Sequence, residues 1–213
     1  MIMNTKLLPA FFLSLFLSAG LLAQVHSNPP SVPVRTMAEW EQIQSLVITW
    51  NDGNHGFDWI DILVEIVRAA RTECEVIIIC QDQNTRNAAQ NYLTSKNVDI
   101  SSNVTFFIAV NNSIWVRDYG ATSIYAGDVD SLLLVDWIYN RPTRPNDNKI
   151  PEKLGQYLQR PVYSTILAPY DLVNTGGNFM TDGMGTAFAS KLIFRNNDQI
   201  ANGEGSSPND ILG

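Results

Sequence analysis

Four consecutive β-branched residues, Val76-Ile-Ile-Ile79, lie inside the run Glu75-Val-Ile-Ile-Ile-Cys80 and constrain this chain's fold more tightly than any other feature. A half-exposed strand alternates apolar and polar residues. A run without alternation needs apolar cover on both faces, as in a strand interior to a layered α/β structure. The flanking sequence supplies that cover. Trp59, Leu63, Ile66, Val67 and Ala70 recur at helical spacing within residues 57–72. Residues 84–96 predict a second helix, with Ala88, Ala89, Tyr92 and Leu93 on its apolar side. Strand-like runs at 45–50 and 104–110 complete the alternation.

Further along, residues 121–125 and 132–137 read as two strands joined by a turn at Gly127-Asp128, a hairpin. Residues 151–158 predict a short helix with Pro151 in its first turn. Residues 171–182 and 186–194 read as strands around a glycine-rich turn, and the Asn/Asp/Gly/Ser-rich stretch after Arg195 as a loose tail that breaks off without a terminating element. No internal repeat is visible. The expected class is mixed α/β with several small sheets.

The chain has 213 residues, 45% of them apolar and 16% charged, enough to bury a core. Its net charge of −7 argues against a nucleic-acid partner. An acidic surface favours cationic ligands and equally keeps a protein soluble. The first residues read as a secretory leader: Lys6 is positive, residues 7–22 are largely apolar, Ala23 suits cleavage, and Gln24 would begin the mature chain. A membrane anchor is the alternative, but the run is short and residues 27–33 are polar and proline-rich. The expectation is therefore an exported protein, periplasmic or secreted, with no membrane association after cleavage. The organisation expected is a leader at 1–23, a proline-rich lead-in at 24–36, a folded body at 37–195 and a loose, truncated tail at 196–213.

Cys74 and Cys80 lie six positions apart around one strand, on the order of 20 Å, and cannot pair with each other. Both read as buried core thiols, with no histidine or metal-ligand partner at useful spacing. His26 is expected to be disordered at the mature terminus, and His55 to be exposed in a Gly/Asn loop.

Three clusters carry chemistry. In Trp115-Val-Arg-Asp-Tyr-Gly120, the Asp118 carboxylate can accept paired hydrogen bonds from a guanidinium, and the Trp115 ring can cover its flat face. The same residues read equally as an Arg117–Asp118 pair on a turn with Trp115 in the core. In Asn140-Arg-Pro-Thr-Arg-Pro-Asn-Asp-Asn148, prolines restrain Arg141 and Arg144, which can grip a carboxylate or phosphate or simply decorate a rigid solvated loop. In Asn174-Thr-Gly-Gly-Asn-Phe-Met-Thr-Asp-Gly183, Gly176 and Gly177 permit close approach of backbone or ligand, or mark a strand bend.

Taken in order with Ala38-Glu-Trp-Glu41, these clusters resemble the bacterial peptidylarginine deiminases and their agmatine deiminase relatives, over residues 37 to the end. The resemblance implies a five-bladed α/β propeller, the pentein fold, of which this chain would supply about three blades. It implies hydrolysis of a guanidinium to a ureido group and ammonia through a cysteine nucleophile, a histidine acid–base and two guanidinium-binding carboxylates, with no metal and no other cofactor.

By the same resemblance Asp118 is the first of those carboxylates and Trp115 the aromatic beside it. Arg141 and Arg144 resemble the pair that holds the carboxylate of a C-terminal arginine, with Thr143 as an extra residue between them. Gly177 and Asn178 belong to a strand lining the site. The family's His-x-Asp pair and nucleophilic cysteine match nothing in this sequence. Met180 does not stand for that histidine, nor Cys74 or Cys80 for that nucleophile, so this chain alone is expected to be inactive. The agmatine type carries Glu where this chain has Thr175, which favours peptide or protein arginine over agmatine as the substrate; a non-catalytic arginine-binding fragment is the alternative in a different class. The sequence leaves the oligomeric state open.

Overall fold

The computed structural model describes residues 24–51, 59–127 and 131–201. Residues 1–23, read above as a leader, lie outside them, as do His55 and most of the stretch read as a tail.

The β-branched run forms β4 (Glu75–Cys80) as expected, the central strand of a parallel three-stranded sheet with β3 (Ser45–Trp50) and β5 (Val104–Ile108). Helices α1 (Trp59–Ala70) and α2 (Gln83–Ser95) are the crossovers. Because strand side chains alternate, β4 sends Val76, Ile78 and Cys80 one way, into a core with Leu63, Val64 and Val67 of α1 and Ala89 and Leu93 of α2. Ile79 points the other way and packs with Ala109, Tyr119, Tyr139 and Ile150. Burying each such side chain contributes about 1.5–3 kcal/mol, so a polar residue at any position from 76 to 79 would disrupt one face or the other. Asp82 starts α2 by accepting from the Thr85 amide at 2.7 Å and from its hydroxyl at 2.9 Å, a cap worth about 1 kcal/mol.

The second sheet is built on β7 (Ser131–Tyr139). It pairs antiparallel with β6 (Thr122–Ala126), the expected hairpin, and parallel with β8 (Val162–Thr165) after the crossover helix α4 (Ile150–Leu158). Leu134, Leu154 and Val162 fill the space beneath α4. At its far end β7 pairs with β9 (Val173–Asn174), with Tyr139 opposite Asn174. The proline-rich lead-in contributes both edges: β1 (Val25–His26) on β8 and β2 (Val34–Thr36) on β6. His26 is therefore held in a strand, not disordered, because its backbone completes the β8 edge.

Two further expectations are corrected. Residues 171–182 are not one strand: β9 gives way to a 3-10 turn, Gly176–Asn178, and then β10 (Phe179–Thr181), because the two glycines bend the chain around a helical turn described below. Residues 186–194 are not one strand either. β11 (Ala187–Ala189) pairs with β10, and α5 (Leu192–Ala201) follows, so the start of the presumed loose tail is helical. Asn197 explains the helix: its amide donates to the Ile193 and Val173 carbonyls and accepts from the Val173 amide, fastening α5 along β9. Cys80 is buried as expected, whereas Cys74, just before β4, is half-buried. Among the described residues no helix is long and apolar enough to cross a membrane, and no group of three or more His, Cys, Asp or Glu is placed to hold a metal.

Candidate functional site

Asp118 lies on α3 (Val116–Tyr119), a single helical turn reached from β5 through residues 109–115. The Ala109 amide still donates to the Cys80 carbonyl of β4 at 2.8 Å; past it, side chains hold the approach. Asn111 donates to the Ala109 carbonyl at 3.0 Å and accepts from Asn51 at 2.8 Å. Asp147, fully buried, accepts from the amides of Asn112 (2.6 Å) and Ser113 (3.2 Å) and from the Ser113 hydroxyl (2.7 Å). Tyr119 donates its hydroxyl to the Ser113 carbonyl at 2.8 Å and lies 2.7 Å from the Thr49 hydroxyl. Burial keeps that phenol protonated, far above its ordinary range.

The four sequence clusters converge here. Arg117 forms an ion pair with Glu39 of the Ala38–Glu41 stretch. Gly177 donates its amide to Asp118 Oδ1 at 3.2 Å. A Cβ at residue 177 would stand 2.5 Å from that oxygen, and one at residue 176 would stand 2.1 Å from the Arg117 carbonyl oxygen. The adjacent glycines are thus required by the close approach of α3, one of the roles their sequence allowed. Asp118 is half-buried, and its Oδ2 has no hydrogen-bond partner among the described residues.

Trp115 precedes α3, is 38% exposed, and packs edge-on against Trp59 with ring centroids 5.8 Å apart. Its carbonyl accepts from the Asp118 amide at 2.9 Å. The reading of Trp115 as a core residue is excluded by that exposure.

Arg141 and Arg144 project from one turn, closed by the Arg144 amide on the Arg141 carbonyl at 2.9 Å. Arg141 is exposed. Arg144 donates to the Tyr139 hydroxyl at 3.2 Å. Tyr139 sits edge-on to Tyr119 at 5.8 Å, its amide donates to Asn148 at 2.6 Å, and burial raises its phenol, with the Asp118 charge acting in the same direction. Asn178 uses its carbonyl oxygen on the Ser190 amide and hydroxyl, fixing the turn into α5.

The sequence did not single out Tyr119, Tyr139, Asp147 or Asn148. Asp147 and Asn148 lie inside a quoted cluster, in a run of short amide and carboxylate side chains that readily bond to backbone. Tyr119 lies inside the Trp115–Gly120 cluster with no role assigned to it, and Tyr139 lies outside every cluster. The arrangement offers one half-open carboxylate beside an exposed indole, with two arginines on an adjoining turn. That is equipment for a flat cation whose other end is negative.

The sequence profile of the Porphyromonas-type peptidyl-arginine deiminase family matches residues 35–204, most of the chain. This chain belongs to that family. Solved structures agree on the fold. The agmatine deiminase of C. jejuni is 22% identical, with a TM-score of 0.59 over 80% of this chain and 51% of its own length. A cysteine-to-serine variant of it with substrate bound gives 22% and 0.60 over 80% and 52%. A candidate arginine deiminase from Porphyromonas gingivalis gives 21% and 0.63 over 84% and 52%. The chain therefore spans about half the length of the deiminase structures it matches, and shares their mixed α/β fold. The four clusters that converge on α3 all fall within the stretch matched by the peptidyl-arginine deiminase profile.

Proposed function

We propose that this chain carries the guanidinium-binding part of a hydrolase that converts arginine in peptides or proteins to citrulline and ammonia. One observation carries the reading: a half-open carboxylate, Asp118, is oriented by the Gly177 amide at the meeting point of all four family clusters. In this reading the free oxygen of Asp118 pairs with the guanidinium, Trp115 covers its face, and Arg141 and Arg144 receive the carboxylate of a C-terminal arginine. The chain forms about three blades of a five-bladed propeller and reaches the periplasm or exterior behind its leader.

Turnover needs groups beyond these. Cys80 is buried, and burial pushes its thiol up to about 12, so it is no thiolate nucleophile at neutral pH. The 213-residue chain should bind arginine without hydrolysing it.

Agmatine is the second substrate reading, favoured by the C. jejuni agmatine deiminase among the structural relatives. It lacks the carboxylate that an arginine pair would hold.

The test is calorimetric titration of the chain with benzoyl-arginine and with agmatine. Tighter binding of benzoyl-arginine supports the peptidyl branch. Asp118→Asn, which keeps an acceptor for Gly177, should weaken both by roughly tenfold or more. Unchanged affinity in that variant would sink the reading. Release of citrulline by the chain alone would overturn the expected inactivity.

A further inference from the structure

We infer that Tyr139 is a positioning residue that sets the gap between Asp118 and Arg144, and so makes the site prefer arginine with a free carboxylate. The inference rests on the reading of Arg144 as a carboxylate ligand and adds a residue that neither the family resemblance nor the sequence clusters assign.

A substrate held at both ends requires two clamps at a fixed separation. Here the clamps sit on different elements: Asp118 on α3 and Arg144 on the turn after β7. Arginine's long side chain has no fixed position of its own. Tyr139 supplies one. Its hydroxyl receives an Arg144 Nη1–H at 3.2 Å. The residue is 4% exposed, and its ring lies edge-on to Tyr119, the neighbour of Asp118 on the same helical turn. Its backbone amide is fixed by Asn148, and its strand position by pairing with Asn174. Tyr119 is in turn held by Thr49 and Ser113. A path whose middle, Tyr119 and Tyr139, is buried and whose ends, Asp118 and Arg144, are half-buried therefore joins the two clamps. The phenol contributes no charge of its own, because burial raises it. It acts on the carboxylate end only through Arg144.

Removing only the hydroxyl separates this role from packing. Tyr139→Phe keeps the ring against Tyr119 and frees Arg144. The readout is the ratio of affinities for benzoyl-arginine and benzoyl-arginine amide, measured by calorimetry on the full chain. Tyr139→Phe should lower that acid-over-amide preference by roughly tenfold while leaving amide affinity within about twofold. Arg144→Ala is the reference and should lower the ratio at least as far. If Arg144→Ala lowers the ratio and Tyr139→Phe does not, the positioning role is overturned and the carboxylate reading stands. If neither variant moves it, the carboxylate reading falls and takes this inference with it. A measurement on the wild-type chain guards against a variant that folds poorly. The Arg144 guanidinium protons should show restricted rotation by NMR before any probe is added, and free rotation there overturns the proposal.

Discussion

The Gly177 amide and the Asp118 carboxylate meet at 3.2 Å in a space that a Cβ at residue 177 would invade, standing 2.5 Å from the same oxygen. Its neighbour Gly176 faces a different obstacle, the Arg117 backbone carbonyl at 2.1 Å. The two alanine substitutions should therefore differ in kind. Gly176→Ala must move α3 and should cost about 1–3 kcal/mol by urea unfolding. Gly177→Ala displaces only a side-chain end, so stability should fall by under about 1 kcal/mol while affinity for benzoyl-arginine drops roughly tenfold. Equal effects of the two on both quantities would contradict this division.

Asp147 gives the second prediction. It is fully buried and accepts three hydrogen bonds from Asn112 and Ser113, the residues that lead into Trp115 and α3. Asp147→Ala leaves two amides without an acceptor and should cost about 3 kcal/mol or more in urea unfolding. Asp147→Asn keeps one accepting oxygen for the amides and should recover part of that loss. A variant of either kind with wild-type stability would mean the loop is held by something else.

The layered core was legible because it follows from periodicity. The unbroken apolar run of β4 and the helical spacing of Leu63 and Val67 fix which faces meet. α5 was not legible. Lys191-Leu-Ile-Phe194 is strand-like locally, and the helix forms because Asn197 bonds to both Ile193 and Val173, a contact between segments 24 residues apart. The site divides in the same way. Asp118, Trp115, Arg141 and Arg144 stood out as polar or aromatic residues in short clusters, but their joining through Tyr139 did not, since a tyrosine ending an apolar strand carries no local mark of its partner.

The thiols offer a third test. Cys80 is fully buried with its thiol raised to about 12, whereas Cys74 is half-buried. Iodoacetamide at pH 8 should modify Cys74 in the folded chain and reach Cys80 only on unfolding, as read by mass spectrometry. Benzoyl-arginine affinity should survive the single modification. Loss of binding on alkylating Cys74 would place a thiol at the site, contrary to the geometry.

Asp136 contributes to the pH dependence of stability. It lies on β7 with 6% exposure; its Oδ2 accepts from Ser164 at 3.3 Å, while Oδ1 is buried without a hydrogen-bond partner among the described residues. Burial raises its carboxyl from 3.8 to about 7, opposed by the Ser164 hydroxyl and aided by the Glu152 charge. The sign follows from linkage. Between those two values the unfolded chain releases this proton and the folded chain keeps it, so rising pH favours unfolding. The contribution is fully present below pH 3.8 and is lost as pH rises through about 7. At about 1.4 kcal/mol per pH unit of separation, the loss reaches about 4 kcal/mol as an upper bound. Asp136→Asn cannot ionise and keeps an oxygen for Ser164. Its unfolding free energy should exceed that of the wild type at pH 8, with the gap closing as pH falls towards 4, where other carboxylates affect both proteins alike. Parallel stability curves for the two proteins from pH 4 to 8 would show that Asp136 ionises in the folded chain as readily as in the unfolded one.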